Sequence, residues 1–234
     1  MSIAGEMIVV KDADALSQAA AELVAARMTG CKTPFRMVLS GGTTPVAAYR
    51  KLSRLSGLPW GCVELFLSDE RFVPPDHHHS NYRMVRETLL ADGTVQPRKL
   101  FAIPTDETPG SAAARYDEIL RQQYGSSELE AGAPLFHLTL LGLGDDGHTA
   151  SLLPGQPVLE ERTLWAAAVP KGRDEPRITL TYPALEASVL TLFLVSGIAK
   201  RDALVQARGG GLPAGRLQPQ GEVIWLVDAA AAGV

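Results

Sequence analysis

The chain of 234 residues has only two cysteines, Cys31 and Cys62. They lie in unrelated contexts with no metal-ligand spacing, so neither a disulfide framework nor a zinc ribbon can be built from them. Both read as reduced thiols of a cytoplasmic protein. Long hydrophobic runs are missing as well, and none is long enough to span a bilayer. Glu6, Lys11, Asp12 and Asp14 near the N-terminus exclude a signal peptide. A basic excess is also missing: 22 Lys and Arg stand against 26 Asp and Glu, a net charge of −4. That argues against nucleic-acid binding, which needs a basic face. It leaves open a small anion, which a few local cations can hold. No repeat of fixed period and no linker interrupt the chain. With 46% hydrophobic and 21% charged residues, one domain over residues 1–234 is expected.

Apolar runs and helical patterns alternate along the sequence. Strands are expected at Met7–Val10, Phe35–Leu39, Val63–Leu67, Leu135–Leu141, Leu164–Val169, Ile178–Thr181, Val189–Val195 and Glu222–Val227. A short apolar piece spans Lys99–Ile103. Helices are expected at Asp12–Met28 with Asp12 or Asp14 as N-cap, Val46–Leu55 with Pro45 in its entry turn, Asn81–Leu90, Ser111–Tyr124 and Ile198–Ala207. Gly209–Gly215 reads as a flexible surface loop. The alternation implies an α/β fold of three layers around a mostly parallel sheet.

Three strand ends carry polar signatures, and a parallel sheet would bring them to one edge, where α/β proteins bind ligands. Ser40, Gly41, Gly42, Thr43 and Thr44 form a strand–turn–helix junction of small residues. Its backbone N–H groups, hydroxyls and helix N-terminus suit a phosphate. It is not a Walker A loop, because the Gly-Lys-Ser/Thr ending is absent. Asp69-Glu70-Arg71 follows the third strand, and the planar fork of Arg71 can grip a phosphate or carboxylate. Arg177 and Lys200 could add charge. The third end, Gly142-Leu-Gly-Asp-Asp-Gly-His148, turns sharply on glycines and offers Asp145, Asp146 and His148, of which the imidazole can exchange a proton near neutral pH. It matches G-x-G-x-x-G only formally, since it falls late in the chain and lacks the acidic residue roughly 20 positions on. His77-His-His79 tempts a metal reading, but neighbouring loop residues rarely all face one ion, and no metal is expected there.

Together these residues resemble the 6-phosphogluconolactonase family, within the superfamily that also holds the glucosamine-6-phosphate isomerases. The resemblance rests on Ser40-Gly-Gly-Thr-Thr-Pro45, Ser68-Asp-Glu-Arg-Phe-Val-Pro74, Ser80-Asn-Tyr82, Gly142-x-Gly-x-Asp-Gly-His-Thr-Ala-Ser-Leu-x-Pro-Gly155, Arg177-Ile-Thr-Leu-Thr181 and Ser196-Gly-x-x-Lys200, in family order over nearly the whole chain. It implies a Rossmann-like α/β/α sandwich and hydrolysis of 6-phosphoglucono-1,5-lactone in the oxidative pentose phosphate pathway, with no metal and no organic cofactor. His148 would be the general base, Asp146 would orient it or brace the loop, and glycine-turn amides are candidate oxyanion donors. Ser40 to Thr44, Asp69, Arg71, Arg177 and Lys200 would hold substrate. The partner implied is a sugar-phosphate lactone alone; the oligomeric state is open, and a monomer is compatible. The isomerase pattern departs at two places: it has tyrosine where this chain has Arg71, and glutamate where this chain has Leu153. A catalytically silent sugar-phosphate sensor on the same fold is the other alternative, and the retained His148 argues against it.

Overall fold

A computed structural model of the chain describes residues 5–31 and 34–234. Among the described residues, ten strands form two sheets. The larger holds β1 (Glu6–Val10), β2 (Phe35–Leu39), β3 (Val63–Leu67), β5 (Lys99–Phe101), β6 (Phe136–Gly142), β9 (Ser188–Val195) and β10 (Glu222–Asp228). They run parallel in the order β1-β10-β9-β6-β2-β3-β5. Its central strands are nearly continuous apolar runs, because a parallel sheet covered by helices is buried on both faces. Phe66, Phe136, Phe193 and Trp225 are fully buried there, and Phe193 stacks on Trp225 with ring centroids 4.0 Å apart.

The helices form where their caps allow. In α1 (Ala13–Met28) it is Asp12, not Asp14, that caps, accepting the Ala15 amide at 2.9 Å. In α2 (Thr43–Leu52) the first turn begins three residues before the expected Val46, directly at the glycine turn, with Pro45 inside it. Pro45 has no N–H to leave unpaired there. Ser80 caps α3 (Asn81–Thr88). Thr108 caps α4 (Pro109–Tyr124), which ends on the left-handed Gly125. Two short helices, α5 (Tyr182–Glu186) and α7 (Ala229–Ala232), were not expected. The expected helix from Ile198 splits into a 3-10 turn, Ile198–Lys200, and α6 (Arg201–Arg208).

Two expectations change. Asp69–Arg71, expected only as a polar end after the third strand, is itself strand β4, which with β7 (Ala166–Val169) and β8 (Arg177–Leu180) builds a small antiparallel sheet in the order β4-β8-β7. Pairing with β8, rather than propensity, makes these three charged residues a strand. Nor is Gly209–Gly215 a loose loop. Pro213, Ala214 and Gly215 are buried, and the Ala214 amide donates to the Gly147 carbonyl at 3.0 Å. Leu212 packs against Gly147 in the turn after β6, and the Tyr182 hydroxyl donates to the Pro213 carbonyl at 2.8 Å.

Neighbouring strands β2 and β6 lead onward in opposite directions, β2 to β3 and β6 through β9 to β10. Ligands of open α/β sheets bind beyond the carboxyl ends at such a reversal.

Candidate active site

At that reversal lies a cavity of about 200 Å³. Its walls come from the ends of β2, β6 and β9, the start of α2, and strands β4 and β8. Ser40, Gly41, Gly42, Thr43, Thr44, Asp69, Arg71, His148, Arg177 and Lys200 all line it. Of the expected residues only Asp146 does not, and it stands directly behind His148.

Two buried tyrosines hold the strand ends. The Tyr49 hydroxyl accepts the Ser40 amide and donates to the Ser40 carbonyl, at 3.0 and 2.9 Å. The Tyr116 hydroxyl treats Leu67 the same way, at 3.1 and 2.9 Å. Burial raises both phenols well above their usual value, so they remain neutral donors. From Ser40 the chain turns through Gly42, whose φ of 101° suits glycine, into the N-terminus of α2. The first amides of a helix have no intrahelical partner and carry positive potential, which favours an anion.

β4 and β8 supply the cations. Their register sets Arg71 directly across from Arg177. Like charges facing each other in a sheet repel, and an anion lodged between them would relieve that. Arg71 donates to the His79 carbonyl at 2.5 Å, and Arg177 lies 3.9 Å from the buried carboxylate of Asp69. Burial pulls the Arg177 guanidinium below its usual value; Asp69 opposes this and Arg71 adds to it. Among the described residues, the buried side-chain atoms without a hydrogen-bond partner include Ser40 Oγ, Arg71 Nε and Arg177 Nε, all on this cavity. Lys200 faces them from the turn after β9, bound to Asp145 at 2.5 Å.

Asp69 is committed to the scaffold. Its carboxylate accepts from Ser68 at 2.9 Å and Ser151 at 2.6 Å, and its carbonyl accepts from Asn81 at 2.9 Å. Glu70, 1% exposed, accepts the amides of Arg71, Asn81 and Tyr82 and the Ser80 hydroxyl. It thereby joins β4 to the start of α3. Burial raises its carboxyl, and these four donors oppose the rise.

The third wall carries the imidazole. After β6 the chain folds back so that the Gly144 amide meets the His148 carbonyl at 2.8 Å and the Gly147 amide meets the Gly144 carbonyl at 2.9 Å. Both amides are therefore spent inside the turn, and neither is left for an oxyanion. Gly144 has no room for a side chain, since a Cβ would lie 2.0 Å from His148 Nδ1. His148 Nδ1 is 2.5 Å from Asp146 Oδ1, and Arg173 donates to Asp146 Oδ2 at 2.6 Å. Partial burial by itself would raise the Asp146 carboxyl, but hydrogen bonds from His148 and Arg173 outweigh it and hold the group well below the usual carboxylate range. An ionised carboxylate only accepts, so Nδ1 carries the ring proton and Nε2 keeps its lone pair. The imidazole thus lies on the wall of a cation-lined cavity, with Asp146 on its Nδ1 side.

Asn81, Thr149 and Ser196 also line the cavity and were not among the expected site residues. All three had a signal, since each stands in one of the matching motifs. Arg173 had none. It lies in the loop between β7 and β8, and only the fold brings it to Asp146.

Fold and cavity together define a three-layer α/β protein with a polar, cation-lined site at the carboxyl edge of a parallel sheet. The model of the family described as glucosamine-6-phosphate isomerases/6-phosphogluconolactonase matches residues 11–225. The chain belongs to that family. It is 39% identical over 203 residues to the 6-phosphogluconolactonase of Nostoc sp., covering 84% of this chain and 83% of that one. It is 39% identical over 201 residues to the 6-phosphogluconolactonase of Synechocystis sp., covering 82% and 81%. The solved 6-phosphogluconolactonase of Thermotoga maritima superposes with a TM-score of 0.82 at 29% identity, covering 96% of this chain and all of that one, 100%. No helix of the described residues is long and apolar enough to cross a membrane.

Proposed function

We propose that this chain is a cytoplasmic 6-phosphogluconolactonase that hydrolyses 6-phospho-D-glucono-1,5-lactone to 6-phospho-D-gluconate. The observation that carries the reading is His148, tied through Nδ1 to the ionised Asp146, on the wall of a cavity that also gathers Arg71, Arg177 and Lys200. The relatives named 6-phosphogluconolactonase support the substrate. The phosphate sits at the N-terminus of α2 against Ser40–Thr44 and the cations, which leaves the lactone ring toward His148. Nε2 takes a proton from water as the water oxygen attacks the ring carbonyl. The tetrahedral intermediate collapses, the C1–ring-oxygen bond breaks, and the proton passes from Nε2 to the leaving oxygen. The products are a carboxylic acid, which ionises, and a free hydroxyl. Asp146 holds the imidazole in the required tautomer and stabilises its protonated form, and Arg173 keeps Asp146 ionised.

Leu153 weighs against the isomerase alternative. It is apolar and 1% exposed, so it cannot relay a proton during ring opening. The test is acid release from freshly prepared lactone, followed in a pH-stat against the spontaneous rate. A large acceleration is expected, and His148→Ala should lower turnover by about 10²–10⁴ with KM little changed. Turnover retained in that variant removes His148 from the mechanism. Absence of acceleration in the native protein overturns the lactonase reading.

A further inference from the structure

Three histidines that this chemistry does not use stand together at the rim of the cavity. His77, His78 and His79 have ring centroids 4.1–5.2 Å apart. Each offers a ring nitrogen within 4.8 Å of one on each of the others. Consecutive side chains of an extended segment point to opposite sides, so a bend is what gathers these. The bend is held by hydrogen bonds: the His77 amide to the Pro74 carbonyl and the Ser80 amide to the His77 carbonyl, both at 2.9 Å. The His79 amide donates to His77 Nδ1 at 3.2 Å, and Arg71 donates to the His79 carbonyl. Glu175, from the loop between β7 and β8, closes on His79 Nδ1. A carboxylate accepting that N–H leaves Nε2 of His79 with the lone pair. A carboxylate behind an imidazole in this way is the arrangement that orients metal-ligating histidines.

We propose that His77, His78 and His79 bind one divalent transition-metal ion of the zinc type, with Glu175 orienting His79 and water completing the coordination. Imidazole selects zinc, nickel or copper over magnesium and calcium. Zn–N bonds of about 2.0–2.1 Å in a tetrahedron set the nitrogens roughly 3.4 Å apart. The rings must therefore draw in by at most about 1.5 Å, which χ1 and χ2 rotations supply. A metal on His77 Nδ1 replaces one long hydrogen bond with a coordinate bond. The three histidines are separate in sequence from His148 and Asp146, and they adjoin the substrate cavity through the His79 carbonyl that holds Arg71 and through Glu175, whose charge acts on Arg177. The site does not depend on the lactonase reading.

The test is calorimetric titration of the tag-free, chelator-treated full chain with zinc chloride at neutral pH. One equivalent of zinc should bind, and magnesium chloride should give no such isotherm. The double variant His78→Asn/His79→Asn should bind at least about tenfold more weakly, and Glu175→Gln about 10–100-fold more weakly. His148→Asn should bind zinc like the native chain. Circular dichroism checks that each variant is folded. The proposal is overturned by a native chain that takes up no zinc, by unchanged affinity in the double variant, or by affinity lost in His148→Asn, which would assign the ion to the substrate cavity.

Discussion

Single atoms decide how this site is arranged, and Gly144 is the clearest case. A methyl group there would meet His148 Nδ1 at 2.0 Å and Asp146 Oδ1 at 2.8 Å. Gly144→Ala must therefore push the imidazole off Asp146. Turnover should fall about as far as in His148→Ala, while urea unfolding shifts by no more than about 1–3 kcal/mol, the usual cost of overpacking. A variant with native turnover would separate the Asp146 contact from catalysis. The facing pair Arg71 and Arg177 predicts a different kind of loss. Arg71→Ala or Lys200→Ala should weaken binding of 6-phosphogluconate by about 1.5–3 kcal/mol, the worth of a charged hydrogen bond. Calorimetry with the product reads this directly, and unchanged affinity in both variants puts the phosphate elsewhere. At this scale the sequence was informative wherever a residue stood inside a motif, as His148 and Ser40 do. It was silent on Arg173 and on the Arg71–Arg177 register. Both depend on which distant segments meet, and nothing local to either residue encodes that.

Elements were legible in proportion to how local their causes are. β2 and β3 fall at the expected residues, since each is an apolar run cut off by small or polar ones. β4 was hidden because Asp-Glu-Arg has no strand character of its own, and its ladder belongs to β8. The turn after β9 shows the same long-range logic. Asp228, at the end of β10, accepts from Ser196 Oγ at 2.5 Å and from the Gly197 amide at 3.0 Å, and it caps α7 through the Ala231 amide at 2.8 Å. Burial pushes its carboxyl up, but these donors outweigh burial and leave it below the ordinary value of 3.8. A depressed acid stabilises the native state fully above its unfolded pKa, and that contribution is lost as pH falls through the lower folded value. Asp228→Asn should therefore cost about 1–3 kcal/mol at neutral pH. The gap from the native chain should persist down to the carboxylate range and narrow only below it. Urea denaturation across pH measures this, and a gap that widens on acidification would contradict the assignment.

For the whole molecule, the cavity draws its walls from both halves of the larger sheet and from the smaller one. A ligand there bridges segments far apart in sequence. Product at 100 times its Kd should add about 2.7 kcal/mol to unfolding free energy by mass action. Thermal melts with 6-phosphogluconate should then shift upward in the native chain and much less in Arg71→Ala. An equal shift in both would mean the ligand stabilises through some other region. The three-layer architecture was readable in advance because strand–helix alternation reports it. Strand order was not, since β1 pairs along its length with β10. That pairing sets a timetable for biosynthesis. β1 leaves the ribosome long before its partner exists. It must wait, with Ile8 and Val10 uncovered, until β10 is made, so the sheet is sealed at this margin late, and a nascent chain stalled ahead of Glu222 would keep an unzipped, adhesive border.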